Sequence, residues 1–172
     1  MIATKNDLPL ATREKMVKLL NQLLADGLDL YTQSKQAHWN VKGMNFIALH
    51  ELFDAVAEAV LPFLDTLAER AVQLGGVANG TLRQAAKTTS LKEYPLADAD
   101  GHEHVLALRD AIAQYGAEMR KAIDASDKAG DADTNDLCIS ISRELDKYLW
   151  FVEAHVQEER QPAAPAKARA AR

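Results

Sequence analysis

The chain has 172 residues, 48% hydrophobic and 26% charged with only 8 Gly and 5 Pro, a balance that supports one buried core and excludes a disordered, collagen-like or two-domain reading. Its single cysteine, Cys138, excludes a disulfide framework or cysteine-rich zinc site, and the lack of any run near ~18 apolar residues, with the polar start Met1 to Asp7, predicts a cytoplasmic protein without a membrane span or signal peptide. All 25 acidic residues but only 17 of the 20 basic ones precede Gln161, so the body carries −8, which attracts cations, and the tail, with Lys167, Arg169 and Arg172, carries +3.

Apolar residues recur at helical spacing almost throughout. In the first helix Val17, Leu20, Leu24, Leu28 and Tyr31 step by three or four, with Thr12 as the expected N-cap and the end near Asn40. A second helix is predicted from about Asn45 to Leu74, stopped by Gly75-Gly76. Pro62 lies inside it, and the ladder bond that proline removes predicts a kink or a division into two shorter helices. Gly75 to Gly101, with Gly80 and Pro95, reads as a crossover containing a short helix around Leu82 to Lys87. The third long helix opens at Asp100 with Glu103 three residues on, the spacing of a capping box, and carries Val105, Leu108, Ile112, Tyr115, Met119 and Ile123 on one stripe. The fourth opens near Asp133-Thr134 and aligns Leu137, Ile141, Leu145, Tyr148 and Val152. Four long helices with one long connection describe an all-α, ferritin-like four-helix bundle over residues 1–160, with the short helix between helices 2 and 3. Residues 161–172 contain two prolines and no large apolar side chain, which predicts a flexible basic tail.

The informative cluster of ligand-type residues is His38, His50, Asp54, Asp65 and Glu69. His50 and Asp54 are four apart, as are Asp65 and Glu69, and all four fall within an arc of about 100° on the second helix. They cannot meet on one ion within a chain, because fifteen residues at ~1.5 Å each set His50 roughly 22 Å from Asp65. An antiparallel copy of the helix, crossing near Ala59 or Val60, brings His50 and Asp54 of one chain opposite Asp65 and Glu69 of its mate and produces two equal sites. Two imidazoles with three carboxylates suit an intermediate metal such as Fe(II) better than calcium or structural zinc. The same spacing also describes an ordinary solvated, salt-bridged helix face, and Phe53, Val56, Val60, Leu64 and Leu67 serve equally as bundle core or dimer seam; spacing alone leaves both open.

The stretch from His38-Trp39-Asn40 through His50 to Asp54 closely resembles the signature of the Dps family, the DNA-protection-during-starvation miniferritins. Asp65-Thr66-Leu67-Ala68-Glu69-Arg70 through Gly76, and Leu145 through Phe151, continue the resemblance, which covers about residues 10 to 158. It implies a hollow homododecamer with ferroxidase centres at its two-fold interfaces. In these centres His38, His50 and Asp54 match the ligands of one subunit, Asp65 and Glu69 those of its partner, and Glu69 is the bridge between two irons. The implied activity is oxidation of Fe(II), preferentially by hydrogen peroxide, with storage of ferric mineral inside the shell and protection of DNA. Trp39 is implied as an acceptor of stray radical equivalents, its alternative being bundle core; Asp127, Asp131 and Asp136 are implied as the lining of three-fold iron pores, their alternative being helix caps.

The competing reading is a nucleoid protein that compacts DNA non-specifically through Lys167, Arg169 and Arg172, its cage being only scaffold. A rubrerythrin-like di-iron core is excluded because no Glu-x-x-His occurs. His102 and His104 read as part of a helix start and Cys138 as a buried apolar residue.

Overall fold

The computed structural model describes residues 1–95 and 100–157. Five helices and no strand occur among them: α1 (Leu10–Asn40), α2 (Phe46–Gln73), α3 (Leu82–Thr88), α4 (Gly101–Ala129) and α5 (Ala132–Glu153). α1 packs on α2 and α4 on α5 as two antiparallel hairpins, which meet mainly through α1 against α4 and α2 against α5. Each helix contributes one apolar stripe to a shared core, where Met16, Leu20, Leu30, Phe53, Leu67, Leu108, Tyr115, Met119 and Ile141 are fully buried. Phe53, Val56, Val60, Leu64 and Leu67 are all buried within the single chain, so they are bundle core. Among the described residues no helix is long and apolar enough to cross a membrane.

The helix ends show where local signals win. α1 starts directly after Pro9, two residues before Thr12. Thr12 is therefore not a cap; its hydroxyl lies 3.5 Å from the Ala129 carbonyl and ties the start of α1 to the end of α4. α2 runs unbroken through Pro62, which sits on the exposed side beside exposed Leu61, so the carbonyl it leaves unbonded faces water. α4 opens with the expected capping box: Glu103 N–H donates to Asp100 at 2.9 Å and Asp100 N–H to Glu103 at 3.2 Å. His102 and His104 lie within its first turn rather than in a loop, and His104 is buried against the Tyr94 hydroxyl. α5 starts at Ala132 with Asp131 as cap, slightly earlier than Asp133-Thr134.

The crossover is strapped along α1. One polar stripe of α1 addresses it: Gln22 donates to the Thr88 carbonyl at 2.9 Å and Gln33 to the Lys92 carbonyl at 3.0 Å. Asp26 accepts from Ser90 N–H at 2.6 Å, and Asp29 from the Thr89 hydroxyl at 2.8 Å. Burial of Asp26 pushes its carboxyl up despite these donors. At the other end of the crossover, Gly75 adopts φ 84° and its carbonyl accepts from Ile2 N–H at 2.6 Å, so the N-terminal segment is docked on the end of α2. Arg13 completes this junction by donating to the carbonyls of Leu8 and Leu74.

Gly76 is needed because α1 passes against it: a β-carbon there would lie 2.4 Å from a Val17 methyl. Gly76→Ala is expected to destabilise the chain by about 1–3 kcal/mol, lowering Tm by several degrees in a calorimetric scan. Gly80→Ala, whose new carbon meets Leu24 only at 3.6 Å, is the matched control and is expected to leave Tm nearly unchanged.

Candidate metal centre

The antiparallel pairing of α1 and α2 brings His38 and His50 together. Each ring uses Nδ1 to donate to the other residue's backbone carbonyl, at 2.8 Å in both directions. A carbonyl only accepts, so both Nδ1 atoms carry protons, and in the neutral form of each ring the lone pair is left on Nε2. The exchange also satisfies the His38 carbonyl in the last turn of α1. The rings stack with centroids 3.7 Å apart and planes 22° from parallel, and Phe46 leans on His50 from the side at 5.1 Å.

This stacking limits what the two imidazoles can hold. A metal bound to imidazole lies near the ring plane, about 2 Å from the nitrogen. Rings with centroids 3.7 Å apart and planes only 22° from parallel do not converge within that reach. The pair therefore suits two neighbouring ions, one per histidine, better than chelation of one.

Asp54, one turn beyond His50, is half-buried and forms an ion pair with Lys35 of α1. The Lys35 ammonium holds its carboxyl below the usual range, with a smaller contribution from His38 and His50. Lys35 also lies over the Trp39 ring, 5.9 Å from its centroid. Lys35 is the neighbour that sequence reasoning missed; its position one turn before His38 on α1 was the available signal. Trp39 is 67% exposed and is not core within the single chain.

Asp65 and Glu69 are exposed on the far half of α2. Because α2 is one continuous helix, Asp65 stays roughly 22 Å from His50 and Glu69 a turn farther, as the rise per residue requires. Among the described residues, no three His, Cys, Asp or Glu side chains of one chain gather closely enough to hold a metal ion. The structure thus joins His38 to His50, places Asp54 beside them under Lys35, and keeps the second carboxylate pair apart.

Of the acidic residues at the turn into α5, Asp127 and Asp136 are exposed, whereas Asp131 is 1% exposed and directed inward. Its Oδ1 accepts from Thr134 N–H and from Arg70, and its Oδ2 from the Thr134 hydroxyl. Both oxygens are consumed by capping and pairing, so within this chain Asp131 does not present a carboxylate to solvent. Cys138 is fully buried, and burial pushes its thiol up to about 12, which leaves it unreactive at neutral pH. Lys167, Arg169 and Arg172 lie outside the described residues.

The Lys35 contact has a sign that titration reads. Because the Asp54 carboxyl is lowered from 3.8, the ion pair contributes stability that is complete above that value and is lost as pH falls through the lowered one. In the metal-free protein Lys35→Met is expected to raise the Asp54 titration, followed by carboxyl-carbon NMR, and to remove this acid-side loss. An unmoved titration assigns the lowering to the two histidines instead.

The chain matches the family model of the ferritin-like domain over residues 17–161. It is 49% identical over 155 residues to the DNA protection during starvation protein of Agrobacterium fabrum, covering 90% of this chain and 96% of that protein. Among solved structures, DpsC from Streptomyces coelicolor superimposes with a TM-score of 0.87 at 32% identity, over 93% of this chain and 94% of its own. Dps from Microbacterium arborescens in its high iron form gives a TM-score of 0.82 at 32% identity, over 92% of this chain and all of that one. Fold, helix order and sequence agree across nearly the whole length, and the chain belongs to the Dps family of ferritin-like proteins.

Proposed function

We propose that the protein is a ferroxidase and iron-storage protein that oxidises Fe(II) at sites shared between two subunits and holds the ferric product inside a hollow homododecamer. The observation that carries this reading is the division of the donors along α2: His50 and Asp54, with His38 beside them, at one end, and Asp65 and Glu69 roughly 22 Å away on the same unbroken helix. An antiparallel partner completes each site with its own Asp65 and Glu69. The Microbacterium arborescens structure in its high iron form supports iron as the substrate.

The roles follow from chemistry. His38 and His50 offer neutral Nε2 donors to two separate irons, and Glu69 bridges them. Asp54, Asp65 and Glu69 add negative charge, which stabilises Fe(III) relative to Fe(II) and drives oxidation. Hydrogen peroxide is the preferred oxidant: it takes one electron from each of two Fe(II) and leaves as two hydroxides, so no hydroxyl radical is released. Lys35 occupies Asp54 before iron arrives, so loading exchanges one cation for another without exposing a bare carboxylate. Exposed Asp127 and Asp136 line the route by which iron enters, at a three-fold junction of chains. The protein acts in the cytoplasm.

Complementation tests the shared site. His50→Ala with Asp54→Ala in one chain, and Asp65→Ala with Glu69→Ala in another, are each expected to abolish the fast ferric absorbance after peroxide addition while retaining helical circular dichroism. Reassembled from an equal mixture of unfolded chains, half the dimers are mixed and each has one intact site of two, so activity is expected to return to about a quarter of wild type. Recovery of nothing removes the intersubunit site from the account.

A second component is DNA binding, favoured by the name of the Agrobacterium fabrum relative and by the +3 charge after Gln161. The N-terminal segment offers Lys5 alone before Arg13 and is docked at Ile2, which leaves Lys167, Arg169 and Arg172 as the DNA contacts. Several tails of one assembly engage a duplex together, giving weak, sequence-independent binding that falls steeply between ~50 and ~200 mM salt. In a gel shift the full chain is expected to retard DNA at low salt and a chain ending at Arg160 not to; equal shifts exclude the tail.

A further inference from the structure

The helix that carries both carboxylate pairs is anchored on either side of Pro62. Upstream, the His38 and His50 exchange and the Lys35 ion pair fix it to α1. Downstream, Arg70 fixes it to α5. Arg70 follows Glu69 directly, yet it is only 8% exposed and its partners are all on the cap of α5. Its Nη2 donates to Asp131 Oδ1 at 2.7 Å, its Nε donates to Thr134 Oγ1 at 3.1 Å, and its Nη1 lies 3.4 Å from Asp133 Oδ2. Thr134 in turn donates its hydroxyl to Asp131 Oδ2 at 2.6 Å, closing a ring of buried polar atoms.

A planar guanidinium held at three points fixes rotation as well as distance, which a single ammonium contact does not. Successive helix residues point about 100° apart, so an Arg70 locked inward sets the outward direction of Glu69 and, one turn back, of Asp65. Pro62 gives such a lock something to hold. Without the bond that Pro62 lacks, the two halves of α2 bend and twist against each other more easily, and the two donor pairs lie in different halves.

We infer that the Arg70, Asp131 and Thr134 clamp sets the angle at which Asp65 and Glu69 are presented to the partner subunit, making Arg70 a positioning residue for iron binding. The inference rests on the reading of those two carboxylates as the partner's share of the ferroxidase site. It also gives Asp131 a role at the iron site through α2 instead of at a pore.

The test uses the assembled full chain and two readouts: the Co(II) dissociation constant, from its visible absorption, and the Fe(II) concentration giving half-maximal peroxide-driven oxidation. Arg70→Met is expected to raise both by about tenfold with the maximal rate within about twofold of wild type. Arg70→Lys keeps a charge beside Asp131 but loses the fork, and is expected to raise both by a smaller, measurable factor. Leu145→Ala, a buried α5 substitution chosen for a comparable loss of Tm, is expected to leave both unchanged. If Arg70→Met does not fold, Arg70→Lys decides. Wild-type values in Arg70→Lys, or an equal shift in Leu145→Ala, overturn the clamp. A wild-type protein that neither binds Co(II) nor shows saturable iron oxidation refutes the ligand assignment itself, and the clamp with it.

Discussion

An α-helix cannot fold back on itself, and the rest of the site follows from that constraint on α2. Twenty-eight residues in one unbroken rod carry two donor pairs on a common face, with a separation fixed by the rise of the backbone. No side-chain rearrangement closes a gap of roughly 22 Å. Chemistry that needs both pairs therefore needs two copies of the helix, and assembly becomes a precondition of activity. The bundle supplies the remaining requirements: a core that buries the other face of α2, and attachments at both of its ends.

Those attachments are polar, in a molecule whose stability comes from apolar packing. Near the top of α2, two imidazoles satisfy each other's backbone carbonyls and thereby fix their own tautomers. Near its bottom, a buried arginine completes the cap of a neighbouring helix. Each arrangement leaves few unmet hydrogen bonds, which is what makes burying such groups tolerable. Lys35 adds a balancing charge where Asp54 would otherwise stand as a half-buried anion. The Lys35 and Asp54 pair thus adds no net charge at this end of α2.

Much of this was legible in the residues alone. Helical periodicity located the four long helices, because each buries one stripe, and the capping box at Asp100 and the glycines after Leu74 marked ends that local chemistry dictates. The separation of the donor pairs followed from counting residues. What spacing did not reveal were partners set by packing between helices. Thr12 has the chemistry of a cap, but α1 begins earlier and its hydroxyl reaches Ala129. Nothing in the spacing around Glu69 marks Arg70 as buried, and only the approach of α5 turns it inward. Asp131 looked like its exposed neighbours Asp127 and Asp136 until the cap and the guanidinium used both of its oxygens. Lys35 was overlooked because an ion pair nineteen residues apart depends on how α1 lies against α2.

The strap that holds the crossover has an evolutionary consequence. α1 grips residues 88–92 largely through their main chain: Gln22 and Gln33 reach backbone carbonyls and Asp26 a backbone amide, with Thr89 contributing its side chain. Backbone groups are the same whatever residue bears them, so substitutions at Thr88, Ser90 or Lys92 need not disturb these grips. Gln22, Asp26 and Gln33 have no such freedom. Within this fold the connecting segment can drift in sequence while keeping its path, and the burden of fidelity falls on a helix distant from it in the chain.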